Sequence, residues 1–103
     1  MSNNTDTVGS DQLIAVQVLG PVISGQLATF AIEYEAVESG ELTIELEPEG
    51  LFTISPQKLD IVDAGDRMLV RLLITSTTGQ PGECRAIFRL RYASRVCLFR
   101  VEA

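Results

Sequence analysis

Apolar and polar residues alternate along most of this chain, and such a two-residue period is typical of a β-strand with one buried face. The clearest example is residues 26–35 (QLATFAIEYE), where Ala28, Phe30, Ile32 and Tyr34 fall on one face. No stretch of the sequence competes with this pattern through a helical period. The pattern therefore predicts an all-β fold.

Turn-forming residues divide the pattern into about seven short strands, spaced about 8–12 residues apart. The strand-like segments are residues 13–19, 26–35, 41–47, 51–55, 59–62, 67–76, 84–92 and 95–102. Because proline cannot donate a hydrogen bond within a sheet, Pro56 predicts that the two short segments beside it lie at an edge or a bend. This number and spacing of strands favours a sandwich of two antiparallel sheets. The expected common core contains Phe30, Ile32, Ile44, Val70, Leu72, Phe88 and Phe99.

Three segments resemble the immunoglobulin-like superfamily, in the bridge-free form of bacterial and major-sperm-protein-like domains. They are SGQLATFAIEYE, ISPQKLDIVDAGDRMLVRLLIT and CRAIFRLRYASRVCLFRVE. The resemblance covers about residues 12–102 and implies an immunoglobulin-like sandwich, a fold that serves many functions. Unlike antibody domains, the chain has no Trp and no usable cysteine bridge between its second and sixth strands, so a fibronectin-like or other topology stays open.

The length of 103 residues suits one domain with a single two-layer core. We predict a flexible tail at residues 1–11 and a single β-sandwich domain at residues 12–103. No apolar run approaches the roughly 20 residues of a membrane span, and the first ten residues have neither the basic start nor the apolar stretch of a signal peptide. We therefore expect no membrane association and a cytoplasmic location.

Charge is distributed unevenly along the chain. Of its 14 acidic residues, 12 lie in residues 1–66, whereas all seven arginines lie in residues 67–103. The outward glutamates of one strand are Glu41, Glu45 and Glu47, and the outward arginines of a later one are Arg85, Arg89 and Arg91. If these strands are neighbours, the opposite charges stabilise their pairing. Binding of an acidic partner by the arginines is the alternative, while the net charge of −6 argues against a nucleic-acid partner.

The last two strands form a predicted hairpin. Keeping the apolar positions of both strands on one face places the loop at residues 93–94 and Cys97 opposite Leu90. Cys84 is then about 20 Å from Cys97 along the strand, whereas a disulfide needs Cα atoms within about 7 Å. Two free, buried cysteines are expected, which suits a reducing compartment.

The residue types favour no catalytic chemistry. Histidine is absent, and with it the commonest general base and transition-metal ligand. Alternate glutamates within residues 45–49 could act as a carboxylate pair, but on a strand exterior such residues are usually solvated. Asp60, Asp63 and Asp66 could ligate calcium, although they lack the dense ligand pattern of a calcium loop. We expect no enzyme activity, no cofactor and no metal site.

Outward apolar residues predict an interaction surface. Val96 and Leu98 lie on the outer face of the last strand. If that strand is a sheet edge, only Arg95 and Arg100 defend it against pairing with another chain. A second candidate surface on the opposite sheet contains Leu69 and Leu73. The expected partner is another protein or a second copy of this chain.

These features together predict a non-enzymatic structural or protein–protein interaction module, a subunit or decoration domain of a larger assembly. The alternative is a small-ligand or carbohydrate-binding module. Such a module usually presents exposed aromatic residues, whereas Tyr34 and Tyr92 both fall on inward positions of the predicted strands.

Overall fold

The computed structural model describes residues 12–35, 40–61 and 67–103. Among these residues no helix is long and apolar enough to cross a membrane. The strands are β1 (Gln12–Leu19), β2 (Val22–Ile23), β3 (Gln26–Glu35), β4 (Gly40–Glu47), β5 (Phe52–Ser55), β6 (Lys58–Ile61), β7 (Arg67–Ser76), β8 (Gly82–Leu90) and β9 (Ala93–Glu102). The predicted tail at residues 1–11 lies outside the described residues, as do Asp63 and Asp66.

The strands form two sheets packed as a sandwich, which confirms the predicted all-β class. The four-stranded sheet has the order β1-β3-β7-β5, and the five-stranded sheet has the order β2-β9-β8-β4-β6. The described residues contain nine strands rather than about seven, because Val22–Ile23 form an extra short strand and both segments beside Pro56 are strands. The expectation of purely antiparallel sheets is wrong at one place, since β2 runs parallel to β9.

Pro56 marks the point where the chain changes sheets. β5, which ends just before it, is an edge strand of the four-stranded sheet, and β6, which follows it, is an edge strand of the five-stranded sheet. The Gln57 carbonyl accepts a hydrogen bond of 2.8 Å from the Ile44 backbone N–H, which ties this crossing to β4. The predicted edge position of both segments is confirmed.

The predicted core residues lie between the two sheets. Phe30 is at the centre, with its ring centroid 5.9 Å from that of Phe88 and 5.6 Å from that of Phe99. Ile32, Ile44 and Leu72 are also buried in this cluster, and Val70 packs against it while partly buried. The two-residue period of the sequence therefore identified the inner face of each sheet.

The closing hairpin differs from its predicted register by four residues. Cys97 lies opposite Ala86, not Leu90, and the loop is formed by Arg91 and Tyr92. The apolar face is unchanged, because an even shift preserves which side each residue occupies. A two-residue hairpin loop needs a positive φ, and Arg91 supplies it with φ 55°. Arginine is not a residue type that signals this conformation, so the sequence pointed to Ala93-Ser94 instead.

The corrected register also changes the distance argument about the cysteines. Cys97 lies opposite Ala86, and Cys84 lies two residues along the same strand, so the two cysteines are diagonal neighbours and the predicted separation is wrong. Both cysteines are nevertheless free and buried. Burial raises the pKa of the Cys84 thiol to about 11 and also raises the pKa of Cys97. Both groups are therefore protonated, weakly reactive core residues at neutral pH.

Candidate functional site

The predicted charge pairing between β4 and β8 is present for Glu45 and Glu47, whereas Glu41 lies opposite Asp60 of β6. Arg85 Nη1 lies 3.6 Å from Glu47 Oε1, and Arg89 Nη2 lies 3.6 Å from Glu45 Oε1. All four side chains are about half exposed, so each pair contributes less than about 1 kcal/mol. Two of the arginines considered for partner binding are thus engaged in cross-strand ion pairs within the chain.

Arg91 does not lie on the outer face of β8, where it was expected. It occupies the hairpin loop, and its side chain lies over Gly40: a side chain at Gly40 would begin 3.1 Å from Arg91 Nε. Tyr92 was expected to point inward, but its exposed fraction is 104%. Both corrections have one cause, because the strand alternation ends at Leu90 when the loop begins. Tyr34 is buried as predicted.

Val96 and Leu98 lie on the outer face of the five-stranded sheet. Their exposed fractions are 51% and 68%, respectively. Val96 lies opposite Ile87, whose side chain is partly buried, and Leu98 lies opposite Arg85. Val96, Leu98 and Ile87 together make a small apolar area, which we call the valine patch, beside the ion pairs of β4 and β8. Ile87 already had outward parity in the sequence, but only the pairing of β8 with β9 places it there.

The two arginines assigned to this surface make contacts of other kinds. Arg100 Nη1 lies 3.4 Å from Glu83 Oε2, and its Nε lies 3.2 Å from Glu102 Oε2. Arg95 lies opposite the buried Phe88, so its position faces the gap between the sheets. Its Nε donates a hydrogen bond of 3.1 Å to the Ile14 carbonyl on β1. Arg95 therefore joins the two sheets, separately from Val96 and Leu98.

The last strand is a partly covered edge. β2 pairs with its end through Val22 opposite Val101, and the Ser24 N–H donates a hydrogen bond of 2.8 Å to the Glu102 carbonyl. An inward-facing charge, here Arg95, is a common protection of an edge strand against pairing with another chain. The outer face of this sheet is consequently a better candidate for contact than its edge.

A larger apolar surface lies on the four-stranded sheet. Leu69 lies opposite Ala31, and Leu73 lies opposite Leu27. The exposed fractions of Leu69 and Leu27 are 59% and 61%. We call the exposed set the leucine face; its members are Leu19, Leu27, Leu69 and Leu73.

Sequence reasoning had identified two members of the leucine face and missed the other two. Leu27 has outward parity on β3, so its parity was a usable signal, but only the pairing of β3 with β7 brings it beside Leu73. Leu19 joins the face because β1 pairs with β3 and places it opposite Thr29. Alternation assigns a residue to a face, whereas strand order decides which residues on that face meet.

A groove of about 940 Å³ lies between β4 of the five-stranded sheet and β5, an edge strand of the four-stranded sheet. β6 pairs with only Gly40–Thr43 of β4, and the Ile44 N–H donates to the Gln57 carbonyl, so the strand is uncovered on that side from Glu45 onward. Ile44, Phe52 and Ile54 line the groove and are buried. The other lining residues include four glutamates and one arginine: Glu45, Glu47, Glu49, Glu83 and Arg85. Tyr92 is not among the lining residues.

Comparison with known proteins assigns this chain to no family. No protein-family model matches it, and no curated protein sequence matches it. Within the described ranges, no group of three or more His, Cys, Asp and Glu side chains could hold a metal ion. A functional proposal must therefore rest on the leucine face, the valine patch and the groove.

Proposed function

We propose that this protein is a non-enzymatic structural or protein–protein interaction module, a subunit or decoration domain of a larger assembly. The observation that carries the proposal is the leucine face. Monomeric proteins rarely expose large contiguous apolar areas, and such an area usually marks a contact site. Here four leucines are exposed on the outer face of one sheet; Leu27 lies directly beside Leu73, and the Thr29–Arg71 pair separates them from Leu69.

The energy available from this surface is sufficient for specific contact. Complete burial of a leucine side chain contributes about 1.5–3 kcal/mol. Leu27 and Leu69 are 61% and 59% exposed, so covering them contributes about 1–2 kcal/mol each. Leu19 and Leu73 add smaller amounts, since their exposed fractions are 37% and 36%. The backbone that carries these leucines is paired within the sheet before binding, which limits the entropy lost on contact.

The valine patch supports the assembly part of the proposal. Val96 and Leu98 lie on the outer face of the five-stranded sheet, opposite in the sandwich to the leucine face. A molecule with apolar areas on two opposite faces can contact two neighbours at once. This arrangement suits a subunit placed between other components better than it suits a free monomer.

The proposal includes an immunoglobulin-like topology and a cytoplasmic location. The strand orders β1-β3-β7-β5 and β9-β8-β4 support the first, because they match the two sheets of the constant-type immunoglobulin fold when the strands are labelled in chain order. The strands β2 and β6 are additions to that plan.

The free cysteines Cys84 and Cys97 support the proposed cytoplasmic location, because such thiols persist in a reducing compartment.

The proposal can be tested by measuring the mass of the native complex. Tagged wild-type protein would be expressed in cells that naturally make it, and the purified complex measured by native mass spectrometry. We expect a mass well above 11.2 kDa. We expect Leu98→Lys or Leu69→Lys to release the protein from the complex while its melting temperature stays nearly unchanged.

A matched control is available on β9. Ser94→Lys introduces the same charge on the same strand, and like Leu98→Lys it places a lysine opposite an arginine, Arg89 instead of Arg85. We expect this control to leave the complex intact. If neither leucine substitution changes the mass of the complex, or if the control changes it equally, docking through these faces is refuted.

The groove favours a second candidate function, the binding of a small ligand or carbohydrate. Its buried apolar residues and surrounding carboxylates combine the two kinds of surface that ligand pockets use. Backbone NMR spectra recorded with a panel of oligosaccharides would test it. Shifts confined to residues 44–54 and 83–85 would support this candidate, and the absence of such shifts across the panel would exclude carbohydrate binding at the groove.

A further inference from the structure

The two central strands of the four-stranded sheet carry complementary residues on their outer face. β3 supplies an acidic residue, two small side chains and one leucine, whereas β7 supplies two arginines and two leucines. The facing pairs are Leu27 with Leu73, Thr29 with Arg71, Ala31 with Leu69 and Glu33 with Arg67. Such a face fits a copy of itself when β3 of one molecule lies over β7 of the other.

We propose that the leucine face binds a second copy of this chain, forming a two-fold symmetric dimer; this inference rests on the proposed function and names the partner of that face. The symmetry axis runs along the boundary between β3 and β7. That boundary is the centre of the sheet, because the order is β1-β3-β7-β5. Each β3 therefore covers the partner's β7, and each β1 covers the partner's β5.

Apolar contact operates at the centre of this interface. Leu69 is 59% exposed, whereas Ala31 beside it has a small side chain that is only 4% exposed and is covered by its own neighbours. The proposed axis places Leu69 of each molecule over the partner's Ala31 position, so two identical contacts form. Leu27 and the partner's Leu73, both exposed leucines, lie against each other in a second symmetric pair of contacts.

Charge complementarity operates at one end. Glu33 faces the partner's Arg67, and the symmetry repeats this pair, so two intermolecular ion pairs form at the interface. Two packed sheets are rotated by about 30°, and Glu33 lies about 10 Å from the middle of the face. The rotation therefore displaces the paired positions by about 5 Å, a distance that an arginine side chain can span. Arg71 lies near the middle and faces the partner's Thr29 hydroxyl, a hydrogen-bond acceptor.

The area of the face suits a weak dimer. Its four strands, β1, β3, β7 and β5, contain 8, 10, 10 and 4 residues. At a strand spacing of about 4.8 Å they cover about 520 Å². Stable interfaces bury about 800 Å² per partner. Because the face is smaller than this, we expect a dimer of modest affinity that forms at micromolar to millimolar concentration.

Two opposite charge reversals give a test specific for contact between molecules. Purified Glu33→Arg protein carries two positive charges at the proposed contact, and Arg67→Glu protein carries two negative ones. Each should dimerise at least tenfold more weakly than wild type in sedimentation equilibrium at low salt. An equal mixture should form heterodimers, which native mass spectrometry detects when one variant is isotopically labelled.

Neither chain of the mixture regains an ion pair within itself, so recovery on mixing can come only from contact between molecules. Lys58→Glu, a similar change on the five-stranded sheet, is the control and should leave dimerisation unchanged. Leu69→Glu is a second, independent variant that should abolish dimerisation while remaining folded, as measured by thermal melting.

The inference is overturned if the wild-type protein is still monomeric at about 1 mM, the weakest dissociation constant expected for the dimer. It is also overturned if the mixed variants form no heterodimer. The proposed function fails under a different result, the insensitivity of the native complex to Leu69→Lys and Leu98→Lys. A monomeric purified protein whose native complex is still disrupted by Leu69→Lys would therefore refute the dimer and retain the interaction module.

Discussion

The ion pair between Arg89 and Glu45 leads to a quantitative prediction about the pairing of β4 with β8. Arg89 Nη2 lies 3.6 Å from Glu45 Oε1, at side-chain exposures of 49% and 63%. Two unit charges at this separation attract by about 1 kcal/mol in water. Side-chain entropy and screening reduce the net value for exposed pairs to about 0.2–1 kcal/mol. Arg89→Glu should therefore destabilise the fold by about 0.5–1 kcal/mol.

The double variant should recover part of this loss, because Arg89→Glu with Glu45→Arg restores an opposite pair in reversed order. We expect a coupling free energy of at most about 1 kcal/mol between the two substitutions. Urea unfolding of the four proteins at low and high salt would measure it, and the coupling should shrink as salt increases. Combining Glu45→Arg with Arg71→Glu, on the other sheet, is the control and should give no coupling. Zero coupling at low salt for the first pair would refute the assignment of a stabilising contact to these side chains.

Three further predictions concern the core, the thiols and the hairpin loop. Phe30→Ala should destabilise the protein by about 3–5 kcal/mol in urea unfolding, since Phe30 is fully buried and contacts two other aromatic rings; a loss below about 1 kcal/mol would contradict its central position. Cys84 and Cys97 should resist a thiol reagent in the folded protein at pH 8 and react after unfolding. Because folding raises the pKa of Cys84 from 9.0 to about 11, the unfolded chain releases this proton first, so the stability contribution is complete below pH 9 and decreases as the pH rises toward 11. A melting temperature that does not fall over this range would contradict the raised pKa. Tyr92→Ala should change the free energy of unfolding by less than about 0.5 kcal/mol, because the side chain is fully exposed; a larger loss in urea unfolding would show that the ring packs against the protein.

The inner faces of the sheets could be predicted from the sequence because alternation depends only on whether a residue number is odd or even. Phe30, Leu72 and Phe88 all occupy the inward parity of their strands, and all three are buried. The hairpin register could not be predicted in the same way, since a shift of four residues leaves the alternation unchanged. The feature that decides the hairpin register is the positive φ at Arg91. Arginine is not a residue type from which this conformation can be predicted.

The candidate surfaces were predictable to a similar extent. Leu69 and Leu98 were assigned to outer faces by parity, and both are exposed. The neighbours that make these residues into larger surfaces depend on strand order, as Leu27 beside Leu73 illustrates. Arg95 shows the opposite case: it was predicted beside Val96, but it lies over the gap between the sheets and donates to the Ile14 carbonyl. Contacts between sheets leave no period in the sequence.

The parallel pairing of β2 with β9 has a mechanical consequence. Tension that pulls the chain before β2 away from the chain after β9 acts along these two strands in opposite directions. The backbone hydrogen bonds between them, including that from Ser24 to Glu102, are then loaded in shear and share the force. In an antiparallel hairpin pulled at its two open ends, by contrast, the bonds separate one after another. The shortest strand pairing among the described residues thus lies where it can oppose extension along the strand direction.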